Sequence, residues 1–387
     1  MNSRCFLTAS SLLLLIGCSS GAIHFMREGV PAADAPRVET QVTFRKLWRR
    51  DLGRGYANSN FLLTPFFTAG RIYAAEPKGT VSALDSASGD LLWQRDLDQS
   101  LAAGVGGDNS VVVVATRGGE VIALAPDDGV VRWRRKVGSE VLAKPVVAQG
   151  TVLLRSGDGQ VIGLSGASGE VAWRVRRAVP ALSVRGLSAP LVIDDVAVAG
   201  FASGRLAGIS VASGAELWNV PISRPSGSNV IDRLVDIDAD PHRVGDLLFV
   251  AAYQSRITAV SLQTQRVKWK NAISTIRPMG STENRLLVTA DDGSVNSIDI
   301  STGQIQWSQS RLRGRGVSGP LWLGTSGYAV VGDYQGYLYA IDVNTGGLLG
   351  RNKGRGGAIL GLFATGLDEQ FVTLSENGAL TGWSGGH

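Results

Sequence analysis

The chain has 387 residues, 18% of them charged, and a formal net charge of +5. So slight a basic excess points away from nucleic acid and toward an outer face that tolerates anionic lipid headgroups. Its two cysteines, Cys5 and Cys18, both stand at the N-terminal end, so the body holds no thiol for a disulfide, a thiolate metal site or a cysteine nucleophile.

Residues 1–17 read as a secretory signal, with Arg4 in a short positive start and an apolar run over 12–16. The tetrapeptide LIGC at 15–18 resembles the bacterial lipobox, which implies cleavage before Cys18 and acylation of that residue. Two or more acyl chains exceed what stable membrane anchoring requires. Ser19 in place of an aspartate implies, by the same resemblance, export to the outer membrane of a Gram-negative cell, with the body in the periplasm. Residues 18–40 lack periodicity and contain Pro31 and Pro36, so they read as a tether. No later stretch reaches the ~20 apolar residues of a membrane-spanning helix.

From residue 41 onward the chain is a repeat. After an isolated ending, FRKLW at Trp48, a 15-residue unit recurs seven times, beginning with GTVSALDSASGDLLW at 79–93. The next five units end on Trp133, Trp173, Trp218, Trp269 and Trp307, and the seventh ends on Gly350. An eighth copy, GALTGW, starts at Gly378 and runs out of chain. Each unit alternates apolar and polar residues, turns on Ser-Gly or Thr-Gly, and alternates again, which is a β-hairpin by period and by turn chemistry. The spacers carry two more strand-like runs, such as TVLLRS at 151–156, so a repeat holds about four strands.

Four strands per unit of 40-odd residues specify the blade of a β-propeller. Seven units and one split unit predict an all-β, eight-bladed propeller of four-stranded antiparallel blades over 41–387. The strand around Phe44 to Trp48 closes the last blade. The body is too long for one compact core, but a ring grows by addition of blades. The tryptophans Trp48, Trp93, Trp133, Trp173, Trp218, Trp269 and Trp307 read as structural wedges between blades, with each indole N–H seeking a carbonyl. Gly350 predicts a weaker junction where the wedge is missing.

Signals of chemistry are few. The three histidines, His24, His242 and His387, have no metal-ligand spacing and suggest no triad. GRGVSG at 314–319 matches a dinucleotide-binding pattern, but Pro320 and an apolar strand follow where a helix belongs. Asp236, Asp238 and Asp240 alternate as in a calcium loop, yet Pro241 stands where the turn needs glycine and Leu247 where it needs glutamate. Basic residues after the tryptophans (Arg49 and Arg50, Arg134 to Lys136, Arg174, Arg176 and Arg177, Arg311, Arg313 and Arg315, Arg351, Lys353 and Arg355) suggest a basic rim facing anionic lipid or an acidic partner, or simply solvated loop charge.

The unit ALDSASGDLLW resembles the tryptophan-docking repeat of pyrroloquinoline-quinone dehydrogenase propellers. Those enzymes typically carry adjacent cysteines and a calcium site, and this body has no cysteine pair. Lipobox, tether and eight such blades together resemble the BamB family, lipoproteins of the β-barrel assembly machinery. PALSVRG (180–186) and IDRLVDIDADP (231–241) resemble that family's two loops that contact the POTRA domains of BamA. The resemblance implies a non-enzymatic scaffold without a cofactor, anchored through Cys18 to the outer membrane and facing the periplasm. Its implied partners are BamA and unfolded outer-membrane proteins, and the implied partner-binding residues are Leu182, Val184, Arg185, Asp236 and Asp238. The family usually has leucine where Val184 stands. Read from the residues alone, both stretches interrupt the repeat, and Leu182 and Val184 alternate with Ser183 so as to project two apolar groups from one side of an extended loop. A quinoprotein-like oxidoreductase and a general peptide- or carbohydrate-binding envelope lipoprotein remain the alternatives.

Overall fold

The alternation inside each unit becomes one antiparallel hairpin, as where Thr80–Asp85 pairs with Leu91–Asp96. The turn between them is fixed by Asp85, whose carboxylate accepts the N–H groups of Ala87 (3.0 Å) and Ser88 (2.8 Å). The first strand of the hairpin is buried at nearly every position because neighbouring blades cover both its faces, whereas the second is exposed at all but Trp93. Two strands from the preceding spacer, Phe66–Thr68 and Arg71–Ala75, complete the four-stranded sheet.

A computed structural model describes residues 34–53, 55–56, 62–68, 70–177, 179, 188–223, 237, 239–251, 256–367 and 369–386. They form eight four-stranded antiparallel blades in a ring. Seven blades run consecutively along the chain, and the eighth combines Ile359–Ala364, Gln370–Ser375 and Ala379–Gly386 with the N-terminal strand Thr43–Asp51. That strand pairs with the C-terminal one from Thr43↔Gly386 to Asp51↔Ala379, so the ring closes by joining the two ends of the chain.

Between blades, five of the tryptophans hydrogen-bond into the next hairpin. The indole N–H of Trp93 donates to Pro126 O (2.7 Å), Trp133 to Gly166 O (2.8 Å), Trp173 to Val211 O (2.9 Å), Trp269 to Ile300 O (2.8 Å) and Trp307 to Val343 O (2.9 Å). The ring lies against the turn of that hairpin. At Gly129 the backbone has φ +69°, and an added Cβ would lie 2.6 Å from the Trp93 ring. Gly129→Ala therefore combines a left-handed backbone with a steric overlap, and is expected to cost about 2–3 kcal/mol in denaturant unfolding. A loss below 0.5 kcal/mol would show that the ring is free to move away.

A second contact reinforces the first. Two residues beyond the tryptophan, Arg50, Arg95, Arg135, Asn271 and Gln309 each donate to the carbonyl of the turn glycine: Gly89, Gly129, Gly169, Gly303 and Gly346 respectively, at 2.6–3.1 Å. Indole and side-chain donor together clasp adjacent blades at four junctions, those of Trp93, Trp133, Trp269 and Trp307.

The junction at Gly350 differs from expectation. A Cβ there would collide with the backbone carbonyl of Val42, so the space a tryptophan would occupy is filled by the incoming N-terminal segment. Gln41 and Val42 both donate their N–H to Leu349 O (2.7 and 3.0 Å), and Asn352 Nδ2 donates to Phe44 O (2.5 Å). Arg351 extends the strap by donating to Ala35 O (3.2 Å) and Pro36 O (2.9 Å). A main-chain strap takes over from the aromatic wedge.

Candidate functional site

In every blade the turn between the second and third strands lies at the same end as the connection to the next blade. Gly157 N donates to Glu140 O (2.9 Å), Asp291 N to Ser274 O (3.1 Å) and Tyr334 N to Arg315 O (3.1 Å), which ties turn and connection together around this face. The two stretches singled out by sequence fall, by residue number, within two connections whose described ends lie at this face. These are the connections from Val171–Arg176 to Leu191–Ile193 and from Glu216–Pro221 to His242–Val244.

Leu182, Val184, Arg185, Asp236 and Asp238 lie outside the described residues, as does Cys18. The bases of both connections are described, and they meet. Arg155, buried at 7% exposure, extends Nη1 to Ser188 O (3.3 Å) in the first and to Ile237 O (3.4 Å) in the second. The Ala189 N–H donates to the Asp240 carboxylate (2.6 Å), crossing in the other direction. Two loops 50 residues apart in sequence are thus laced at their feet by one arginine and one aspartate. Asp240 is reached by solvent but enclosed by the surrounding loops. This enclosure raises its pKa, while Lys144, the Ala189 N–H and Arg155 pull it down. The third member of the calcium-like run is therefore a brace between loops.

One blade further round, Arg277 stands in the connection that follows Arg266–Asn271. Burial lowers its pKa to about 10 against the opposing pull of Asp291. The cations whose charge reaches the Asp240 carboxylate are Lys144 and Arg155.

The basic rim read from sequence resolves into separate roles. Arg50 and Arg135 are clasps between blades. Arg134 pairs with Glu120 (3.2 Å), Arg177 with Glu216 and Arg313 with Asp292 (2.8 Å), while Arg311 donates to Arg37 O (2.6 Å). Arg315 is the clearest correction: at 0% exposure it forms an ion pair with Asp333, so it presents no charge to a lipid surface. Sequence groups these side chains by sign, whereas their partners lie 14 or more residues away.

Among the described residues no three histidine, cysteine, aspartate or glutamate side chains come together as metal ligands. The segment 314–319 is turn and extended chain, without the helix that would hold a pyrophosphate. No helix among the described residues is long and apolar enough to cross a membrane.

Residues 77–309 and 278–363 match the family model described as outer membrane protein assembly factor BamB. The outer membrane protein assembly factor BamB of Pseudomonas aeruginosa is 41% identical over 341 residues, 88% of this chain and 88% of the relative. The crystal structure of BamB from Moraxella catarrhalis superposes with a TM-score of 0.80 at 27% identity, covering 88% of this chain and 100% of that one. A quinohemoprotein alcohol dehydrogenase from Pseudomonas putida HK5 reaches a TM-score of 0.67 at 12% identity, over 88% of this chain and 76% of its own. At that identity the likeness is one of fold alone.

Proposed function

Because this chain belongs to the BamB family of outer membrane protein assembly factors, we propose that it serves outer-membrane protein assembly by positioning rather than by catalysis. It docks through the loops containing Leu182, Val184, Arg185, Asp236 and Asp238 onto the POTRA domains of BamA. Cys18, acylated, holds it at the periplasmic side of the outer membrane, where it presents unfolded outer-membrane polypeptides for insertion.

The observation that carries this reading is the lacing of the two loop bases by Arg155 and Asp240. Two segments that act as one docking surface need a fixed spacing, because ordering loose loops at the moment of binding costs roughly 0.5–1.5 kcal/mol per immobilised side chain. A buried arginine shared by both backbones supplies that spacing in advance. The planar guanidinium of Arg185 is of a residue type enriched among interface hot spots, and Leu182 and Val184 offer apolar area beside it.

The test is co-purification of the full chain with the barrel-assembly complex. The Leu182→Ala, Arg185→Ala, Asp236→Ala triple variant is expected to recover at least tenfold less BamA than the unaltered protein, with an unchanged melting temperature. Recovery at the unaltered level would remove these loops from the interface. The fold shared with quinohemoprotein dehydrogenases is the ring itself, whereas the 41% identity is to an assembly factor.

A further inference from the structure

The junction that lacks its tryptophan wedge opens into a pocket of about 190 Å³ between the seventh and eighth blades. Lys46 and Arg49 reach it from the closing strand Thr43–Asp51, and Lys353 and Arg355 from the end of the seventh blade. Phe44, Asn352, Gly354, Thr381 and Trp383 line the remainder, and among the described residues no carboxylate does. We propose that this pocket is a binding site for a phosphate-bearing anion.

Arg49 has a carboxylate partner in Asp51, but among the described residues the other three cations around this cavity do not, and an anion among them relieves their mutual repulsion. Local structure holds them there. The closing strand shifts register between Lys46 and Trp48, and such a bulge re-aims the side chains beside it. Arg49 is fixed by Asp51 (2.7 Å) and by donating Nη1 to Arg355 O (2.6 Å), which brings the Arg355 backbone to the pocket's edge. The Lys353 ammonium stands 5.1 Å from the centre of the Tyr337 ring, a contact that orients the charge without neutralising it. Among the described residues, Lys46, Lys353 and Arg355 make no ion pair, unlike the paired arginines elsewhere on the rim.

Size selects the ligand. A cavity of about 190 Å³ is smaller than the roughly 300–1,000 Å³ of drug-sized pockets and suits a phosphate or a glycerol phosphate. Lysine and arginine with a threonine hydroxyl offer the donors such oxygens take. The phosphoryl group has two possible sources, an anionic lipid headgroup or a soluble phosphate.

The full chain, held in a neutral detergent, is titrated with glycerol 3-phosphate and with inorganic phosphate by phosphorus NMR line broadening. It is also floated with phosphatidylcholine vesicles with and without phosphatidylglycerol. Saturable binding is expected, weakened at least tenfold by K353A/R355A and unchanged by R266A/K268A, which removes the same charge from an exposed strand of the fifth blade. Recovery in K353R/R355K separates charge from shape and controls for folding. Flotation that depends on phosphatidylglycerol and is lost in K353A/R355A assigns the headgroup, whereas binding of the soluble probes alone assigns a free phosphate. The proposal falls if no probe saturates, or if both double variants weaken binding equally.

Discussion

Asp333→Ala is expected to destabilise the protein by about 3–5 kcal/mol, the range for removing one partner of a buried ion pair. Asp333 and Arg315 are both at 0% exposure, and Asp333 Oδ2 accepts from Arg315 Nε (2.8 Å) and Nη2 (2.5 Å) and from the Tyr339 hydroxyl (3.0 Å). Its Oδ1 accepts the N–H groups of Gln335 and Tyr337, both at 2.9 Å, which fixes the turn between two strands of the seventh blade. Burial alone would lower the Arg315 pKa, but the hydrogen bond and charge of Asp333 outweigh it and raise the value above that of a free guanidinium. Burial and the Asp333 charge likewise hold the Tyr339 phenol protonated, as a donor must be. Alanine at 333 leaves the guanidinium without its carboxylate and two turn N–H groups without an acceptor. Replacing both partners, as Arg315→Met with Asp333→Leu, is expected to cost less than Asp333→Ala, because no lone charge is left inside. Urea denaturation of the three proteins checks both points, and a loss under 1 kcal/mol for Asp333→Ala would mean that water reaches Arg315.

The network also shows where sequence stops being legible. Blade number and closure could be read because hairpin period, turn residues and tryptophan all repeat, and the split copy left matching fragments at residues 44–48 and 378–383. Arg315 could not be placed, since the group that decides its fate is a carboxylate in the next blade. The clasp two residues after tryptophan was visible only as charge. Arginine, asparagine and glutamine share the job, and it is the shared acceptor, a glycine carbonyl in the following hairpin, that unites them. Gly350 misled for a related reason, because the backbone that fills its space comes from some 300 residues away and leaves no local mark. The candidate docking loops were picked out by their resemblance to the family's two loops, with which their interruption of the repeat agrees. Their lacing by Arg155 and Asp240 was not visible, since neither residue belongs to a repeating pattern.

A ring clasped at most of its junctions is a stiff mount for loops, and stiffness suits a protein that acts by placement. If the loops are to meet a partner at fixed spacing, the blades beneath them must not slide, and a hydrogen-bonded indole with a second donor beside it resists both rotation and separation of neighbouring sheets. The least regular junctions are then those where other work is done. The fourth blade's tryptophan, Trp218, meets a hairpin whose turn carries Gln265 at φ +53° in place of glycine, next to the long connection that bears the second docking loop. The seventh gives up its wedge to the strap and the cationic pocket.

Closure is the second point at which one side chain has a large effect. Phe44→Ala is expected to cost about 3–5 kcal/mol, as for other buried phenylalanines. Phe44 is 3% exposed and meets Tyr328 and Phe371 edge to face, with ring centres 6.3 and 5.7 Å apart, so its ring bridges the seventh and eighth blades. It also anchors a strand that nothing else in the chain can replace, because the eighth blade takes its outer strand from the opposite terminus. The loss should therefore be local before it is global. Amide exchange is expected to accelerate first in Thr43–Asp51 and Ala379–Gly386, while Thr151–Arg155 in the third blade keeps its protection. Arg45→Ala, an exposed neighbour on the same strand, should change stability by less than 0.5 kcal/mol. If Phe44→Ala instead accelerated exchange evenly around the ring, closure would not be a separable step. The clasped junctions would then have to unfold together, and the terminal strand would be one among the thirty-two strands of the described residues.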